Sequence, residues 1–169
     1  YNLVGFQTRL KWGEQKRVFS MIPGLENAEF LRYGVMHRNT FLHSPGFLDH
    51  TYQMIARPGT YFAGQMTGVE GYVESASSGM VAGISLARQM LSMEPVDFTR
   101  LTAIGALGYH VAQATGDFQP MNANFGLIDA YEKRIRSKQE RYGAIAARSL
   151  NFIEALRSNP LCGDFYPEV

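Results

Sequence analysis

A mixed α/β fold is predicted, and three observations predict it. Short apolar runs bounded by turn residues recur between Phe30 and Ala63, as strands do. A glycine-rich turn follows the last of these runs, and helical periodicity sets in directly after it. Further amphipathic stretches then occupy most of the chain up to Ser158. The 169 residues suffice for one core but not for two independent ones. Apolar residues make up 46%, aromatics 12% and charges 18%, a balance that favours a packed domain over a disordered or collagen-like chain.

Each element has its own signal. Tyr1–Thr8 (YNLVGFQT) is extended and apolar, and Glu14–Ile22 is helical, with Val18, Phe19 and Ile22 on one stripe and Pro23-Gly24 as the stop. Phe30–Val35 and Asn39–Leu42 are predicted strands, and Ser44-Pro45-Gly46 is a turn. Thr51–Ile55 and Thr60–Ala63 are two more strands joined through Arg57-Pro58-Gly59. A helix then runs from Val73 to Met90 with Ala76, Met80, Ile84 and Ala87 on one face, and Gly79 and Gly83 allow a close neighbour. Asp97 is the expected N-cap of a helix over Phe98–Ala114, in which Leu101, Ile104, Leu107, Gly108 and Val111 fall in phase and Gly116 marks the stop. Phe118–Leu127 has no period and is predicted to be an ordered loop. Tyr131–Ser158 is predicted as one long helix ended by Asn159-Pro160. Its apolar stripe is Ile135, Tyr142, Ile145, Phe152 and Leu156, and its separate basic face is Arg134, Lys138, Arg141 and Arg148.

Several function classes are excluded. No apolar run reaches the ~18–20 residues of a bilayer span, and nothing resembles an export signal. Cys162 has no second thiol, which removes disulfide scaffolds and zinc knuckles and makes a cytoplasmic setting the expectation. His43, His50 and His110 share no ligand spacing, so no metal is assigned. No nucleophile elbow, Cys/His pair or His-Glu-x-x-His helix is present, and no catalytic residue is assigned.

The net charge of +1 conceals an asymmetry. Thr40–His110 carries Arg57, Arg88 and Arg100 against Asp49, Glu70, Glu74, Glu94 and Asp97. Tyr131–Asn159 instead carries Lys133, Arg134, Arg136, Lys138, Arg141, Arg148 and Arg157 against Glu132, Glu140 and Glu154. Such a cluster neutralises nucleic-acid phosphates or is a solvated face, and the residues alone leave both open.

Two other segments are candidate sites. Gly64, Gly68 and Gly71 give the spacing G-x-x-x-G-x-x-G between strand and helix, which is neither the dinucleotide fingerprint nor a P-loop. The turn either directs backbone N–H groups and a helix N-terminus at an anion, or is a tight connection without ligand. His37-Arg38-Asn39 lies beside a predicted strand end as a cleft-facing polar trio or a surface turn. Asn122 and Asn124 either recognise a heterocycle through their amides or fix their own loop.

Longer segments carry a family resemblance. MIPGLENAEFLRYGVMHRNTF (Met21–Phe41), YFAGQMTGVEGYVESASSGMVAG (Tyr61–Gly83), TAIGALGYH (Thr102–His110) and FQPMNANFGL (Phe118–Leu127) closely resemble the C-terminal part of the folate- and FAD-dependent tRNA uracil-5-methyltransferases. GFQTRLKWGEQKRVF (Gly5–Phe19) is similar as well, and the likeness runs from Tyr1 to about Ala147.

The resemblance implies a flavoprotein that makes ribothymidine in the tRNA T-loop, with methylenetetrahydrofolate as carbon donor, FAD as reductant and NAD(P)H reducing the flavin. It implies that Gly64, Gln65, Gly68, Gly71 and Tyr72 lie against FAD, and that His37, Arg38 and Asn39 lie close to the folate pterin. Asn122 and Asn124 are added to the substrate side, and Arg134, Lys138 and Arg141 to the tRNA side. The implied architecture is the C-terminal portion of a two-dinucleotide-binding-type flavoprotein, with residues 1–44 in a substrate-side domain, 45–128 in the FAD-binding domain and 129–169 as a helical extension. The family's N-terminal glycine-rich fingerprint and its catalytic cysteines have no counterpart here. The chain is therefore expected to be a C-terminal fragment, inactive by itself and binding FAD weakly or not at all, whose unpaired strand edges favour homo-association. The related wobble-uridine-modifying flavoproteins share the Ala63-Gly64-Gln65 and Gly71-Tyr72 steps and are the alternative enzyme, and a non-catalytic RNA-binding module is the alternative from another class.

Overall fold

The computed structural model describes residue 3 and residues 10–34 and 40–158. The chain divides into two units, Tyr1–Asn39 and Thr40–Val169. In the first, α1 spans Trp12–Phe19 and ends where Ser20 donates back to Lys16. Gln15 is its buried residue. The amide of Gln15 donates to the carbonyls of Leu10 and Gly34 and accepts from the Gly34 N–H at 3.0 Å, which staples the segment after the helix to it. The helix starts two residues before the predicted Glu14 and stops three before Ile22. The predicted strand at Phe30–Val35 is not extended pairing over the residues described there, and Tyr1–Thr8 falls almost wholly outside them.

The second unit holds a 3-10 turn (Gly64–Thr67), α2 (Tyr72–Met90), α3 (Ala103–Gln113) and α4 (Lys138–Arg157). Its core is Leu48, Tyr52, Val69, Val81, Ala82, Leu107 and Val111, with Phe47, Met54, Phe62, Phe98 and Leu127 packed around them. Burial also raises the pKa of the Tyr52 phenol well above its ordinary value.

The mixed α/β expectation is corrected at the strands. Among the described residues only isolated bridges join extended segments, Leu48 with Met54, Gln53 with Tyr61 and Val69 with Met121 among them. The predicted pairing of Thr51–Ile55 with Thr60–Ala63 does exist, through Met54 N–H to the Thr60 carbonyl at 2.8 Å and Phe62 N–H to that of Tyr52 at 3.0 Å. It does not grow into a ladder because Tyr52 stands at φ 67°, outside the extended region, and the chain reverses at once around Asp49. One Asp49 carboxylate oxygen accepts from the Thr51 N–H, the Thr51 hydroxyl and the Gln53 N–H.

The helices also depart from their predictions. α2 turns Ser78, Val81, Ala82, Ser85 and Arg88 inward, whereas the predicted face is outward at Ala76, Met80 and Ala87. Apolar residues fall on the outer side at Val73, Met80 and Met90 and polar ones, Ser78, Ser85 and Arg88, on the inner side, so the pattern alone did not identify the buried face. α3 begins at Ala103, capped by the Thr102 hydroxyl accepting from the Gly105 N–H at 3.0 Å. Asp97 caps the preceding turn instead, accepting from the Thr99 N–H. α4 begins at Lys138 with Ser137 as its cap, seven residues after the predicted start at Tyr131, and Ile145 is its buried residue. Arg134 precedes the helix, so the predicted continuous basic face does not form. No helix among the described residues is long and apolar enough to cross a membrane.

Candidate flavin-side turn and basic aromatic patch

Ala63 is extended, and the chain then turns through Gly64–Thr67 and reaches α2 by way of Gly68 and Gly71, whose φ angles are 88° and 111°. The turn is held from inside. The Gly64 N–H donates to the Ser78 hydroxyl at 2.8 Å, and the Thr67 hydroxyl donates to the Gly64 carbonyl at 2.8 Å. Ser78, Thr67 and Ser44 are fully buried, and Ser44 donates to the Thr67 carbonyl. The Gly64 amide is thereby committed to the protein and not to an anion.

Gly68 and Gly71 answer to neighbours within the chain. A β-carbon at 68 would collide with the Phe118 ring, and one at 71 would collide with the Glu74 carboxylate and come within 3.0 Å of Asn122 Nδ2. Glu74 occupies the third position of α2, folds back over Gly71 and accepts from the Ala123 N–H at 3.2 Å. The helix N-terminus, where a bound anion was one expectation, therefore already carries a carboxylate. An anionic group does not fit there. The outer surface of the turn is open, with Gln65 and Met66 exposed and Tyr72 97% exposed beside them. Glu74 stands three residues after the cap residue Gly71, which has no side chain to cap the helix, and its carboxylate is engaged by the Ala123 N–H from the loop instead.

The Phe118–Leu127 segment is ordered, as predicted. It is bound to the turn by Met121 N–H to the Gly68 carbonyl and by Glu70 N–H to that of Met121. Asn122 donates to the Glu70 carbonyl at 2.7 Å, while Asn124 donates to the Asn122 carbonyl and accepts from the Gly126 N–H. Both amides are engaged in shaping the loop. Phe118 meets His43, Phe41 and His110 at ring distances of 5.9, 6.2 and 5.9 Å. Burial first, and Arg100 second, lower the pKa of His110.

Phe125, at the bend of this loop, stacks on Tyr142 of α4 with ring centroids 3.9 Å apart and planes within 2°. Lys138 and Arg141 each stand 5.5 Å from the same Tyr142 ring. Arg148 is used differently, donating to the carbonyls of Ala130 and Asp129. The structure thus brings Lys138 and Arg141 together at an aromatic pair and leaves Arg134 outside the helix. His37, Arg38 and Asn39 lie outside the described residues. Among the described residues no group of three or more His, Cys, Asp or Glu side chains can hold a metal.

Known proteins match most of the chain. The family model described as glucose inhibited division protein A matches residues 1–94. A methylenetetrahydrofolate-tRNA-(uracil-5-)-methyltransferase TrmFO from Enterococcus faecalis is 63% identical over 152 residues, which is 89% of this chain and 35% of the relative. Proteins of the same name from Streptococcus uberis and Lactiplantibacillus plantarum are 62% and 57% identical, over 92% and 95% of this chain. The chain spans 35% to 37% of the length of these relatives. With more than half of its residues matched by the family model, the chain belongs to the glucose inhibited division protein A family.

Proposed function

We propose that this chain is the C-terminal portion of a folate- and FAD-dependent tRNA uracil-5-methyltransferase, a mixed α/β flavoprotein that forms ribothymidine in the T-loop. The observation that carries the reading is the 63% identity to a relative of that name across 89% of the chain. In this reading residues 1–44 belong to the substrate-side domain, 45–128 to the FAD-binding domain and 129–169 to a helical extension. Gly64, Gln65, Gly68, Gly71 and Tyr72 face the flavin, and His37, Arg38 and Asn39 with Asn122 and Asn124 serve the folate side. Arg134, Lys138 and Arg141 attract tRNA. Methylenetetrahydrofolate supplies the carbon, FAD the reducing electrons and NAD(P)H the electrons for the flavin. The exposed surface at Gln65, Met66 and Tyr72 supports contact with a flat ring, and the carboxylate of Glu74 argues that the ring, not a pyrophosphate, lies there.

The rest of the flavin site comes from the N-terminal part of the same enzyme, and the setting is cytoplasmic. Homo-association belongs to the same reading, through backbone edges left with single bridges. A second enzyme reading, wobble-uridine modification, is favoured by the description of the matched family model. One experiment separates them. The matching third of the Enterococcus faecalis relative is replaced by this chain, and the chimera is expressed in a strain lacking its own enzyme. Nucleoside mass spectrometry of the tRNA is then expected to show restored 5-methyluridine and unchanged wobble uridines. A stable chimera that leaves tRNA without 5-methyluridine overturns the reading.

A further inference from the structure

Five basic residues, Lys133, Arg134, Arg136, Lys138 and Arg141, gather around the N-terminus of α4, the positive end of the helix dipole. For stability they are at the wrong end. Cations favour a helix C-terminus, and here the first turn holds only Glu140 in compensation. Lys133, Arg134, Arg136, Lys138 and Arg141 form no ion pair among the described residues, whereas Arg100 pairs with Asp129 at 3.1 Å. The outcome is a concentrated positive potential, with five cations against Glu132 and Glu140, which a polyanion would relieve.

An aromatic side chain is set at its edge. Asn124 to Leu127 forms a closed turn, with Leu127 N–H donating to the Asn124 carbonyl and the Asn124 amide oxygen accepting from the Gly126 N–H at 2.8 Å. Phe125 is carried on that turn, and Tyr142 covers one of its faces at 3.9 Å. The side chain nevertheless remains 38% exposed. Its partner ring in turn sits under two cations. A rigid aromatic with a solvent-facing surface beside an array of unpaired amines and guanidinia matches how unpaired bases are held, by stacking, while phosphates are neutralised alongside.

We propose that Phe125 is the base-stacking residue of a single-stranded RNA site, in which Tyr142 backs the Phe125 ring and Lys138 and Arg141 bind the flanking phosphates. The inference rests on the tRNA reading above and adds to it the side chain on which an unstacked base of the loop is held.

The test uses the full chain and a fluorescently labelled RNA hairpin with a uridine-containing loop, next to the corresponding blunt duplex. The hairpin is expected to bind more tightly than the duplex. Phe125→Ala is expected to weaken hairpin binding about tenfold while leaving the salt slope unchanged, and Phe125→Tyr to keep the parent affinity. Lys138→Gln/Arg141→Gln is expected to make the slope shallower by about two. Unchanged circular dichroism shows that each variant is folded. Equal affinity for hairpin and duplex, or a folded Phe125→Ala that binds as the parent does, overturns the stacking site and leaves the methylation result of the chimera untouched. Absence of hairpin binding by the parent chain overturns it as well, and restored 5-methyluridine in the chimera then keeps the enzyme reading separate.

Discussion

The carboxylate of Glu74 lies directly over the α-carbon of Gly71, with its other oxygen on the Ala123 N–H, so that the start of α2 and the Phe118–Leu127 loop beyond α3 are joined by one side chain. The glycine is required twice, by its φ of 111° and by the carboxylate above it. Gly71→Ala is expected to cost about 1–3 kcal/mol in urea unfolding. Part of that is steric. The double variant Gly71→Ala/Glu74→Ala should therefore lose less than the two single losses added, and strict additivity would show that the two residues do not interact.

Ser78 is the internal anchor of the same turn. It accepts from the Gly64 N–H and donates to the Ser75 carbonyl at 2.8 Å, with no exposed surface. Removal of its hydroxyl in Ser78→Ala leaves a polar N–H against the helix, at a cost of about 1–3 kcal/mol. Hydrogen exchange at the Gly64 amide is the local measurement. Acceleration at this amide beyond the general loss of stability is expected, and protection equal to the parent's would show that the bond contributes nothing.

Much of this was readable from the residues. Glycine spacing placed the turn, periodicity placed α2, and the absence of any period placed the Phe118–Leu127 loop. What could not be read depends on which surfaces meet. Ala76 and Met80 are as apolar as Val81 and Ala82, and only the tertiary contact chooses between them. Asp97 and Thr102 are both competent caps five residues apart, and the sequence offers no reason to prefer the second. The strands failed at Tyr52, whose positive φ is imposed by the Asp49 turn and is not a tendency of tyrosine. At the site, Gly68 and Gly71 were legible as glycines with a purpose, but the purpose was legible only once Phe118 and Glu74 were seen to fill the space.

His110 packs against Phe118, and its Nε2 is buried without a hydrogen-bond partner among the described residues. Burial and the nearby Arg100 hold its pKa below the ordinary histidine value of about 6.5. The unfolded chain therefore binds a proton more readily than the folded one. Stability is expected to be complete above that ordinary value and to fall as the pH drops through it toward the lower folded value. Urea midpoints measured from pH 7.5 to 5 test this. His110→Gln should flatten the decline, and an identical pH dependence in parent and variant would remove His110 as its source.

Arg148 was expected on one basic face with Lys138 and Arg141, and the structure gives it a different task. Its guanidinium reaches the carbonyls of Ala130 at 2.9 Å and Asp129 at 2.5 Å and lies 5.7 Å from the Tyr131 ring. Asp129 is itself fixed by Arg100, through an ion pair at 3.1 Å and a backbone bond from its N–H to the Arg100 carbonyl. The fork of Arg148 therefore ties α4 to the segment that leads into it. A lysine, with one nitrogen in place of a planar fork, spans two carbonyls poorly. Arg148→Lys and Arg148→Met are both expected to lose about 1 kcal/mol in urea unfolding, because each removes the fork that ties α4 to the preceding segment while water can reach the exposed carbonyls. RNA binding supplies the contrast. Lys138→Gln and Arg141→Gln should leave the urea midpoint nearly unchanged and reduce the salt slope, whereas Arg148→Met should lower the midpoint and leave the slope of the folded protein as it was. If Arg148→Met instead reduces the slope by about one at unchanged stability, its guanidinium contacts phosphate and the tie to Asp129 and Ala130 is not what holds it.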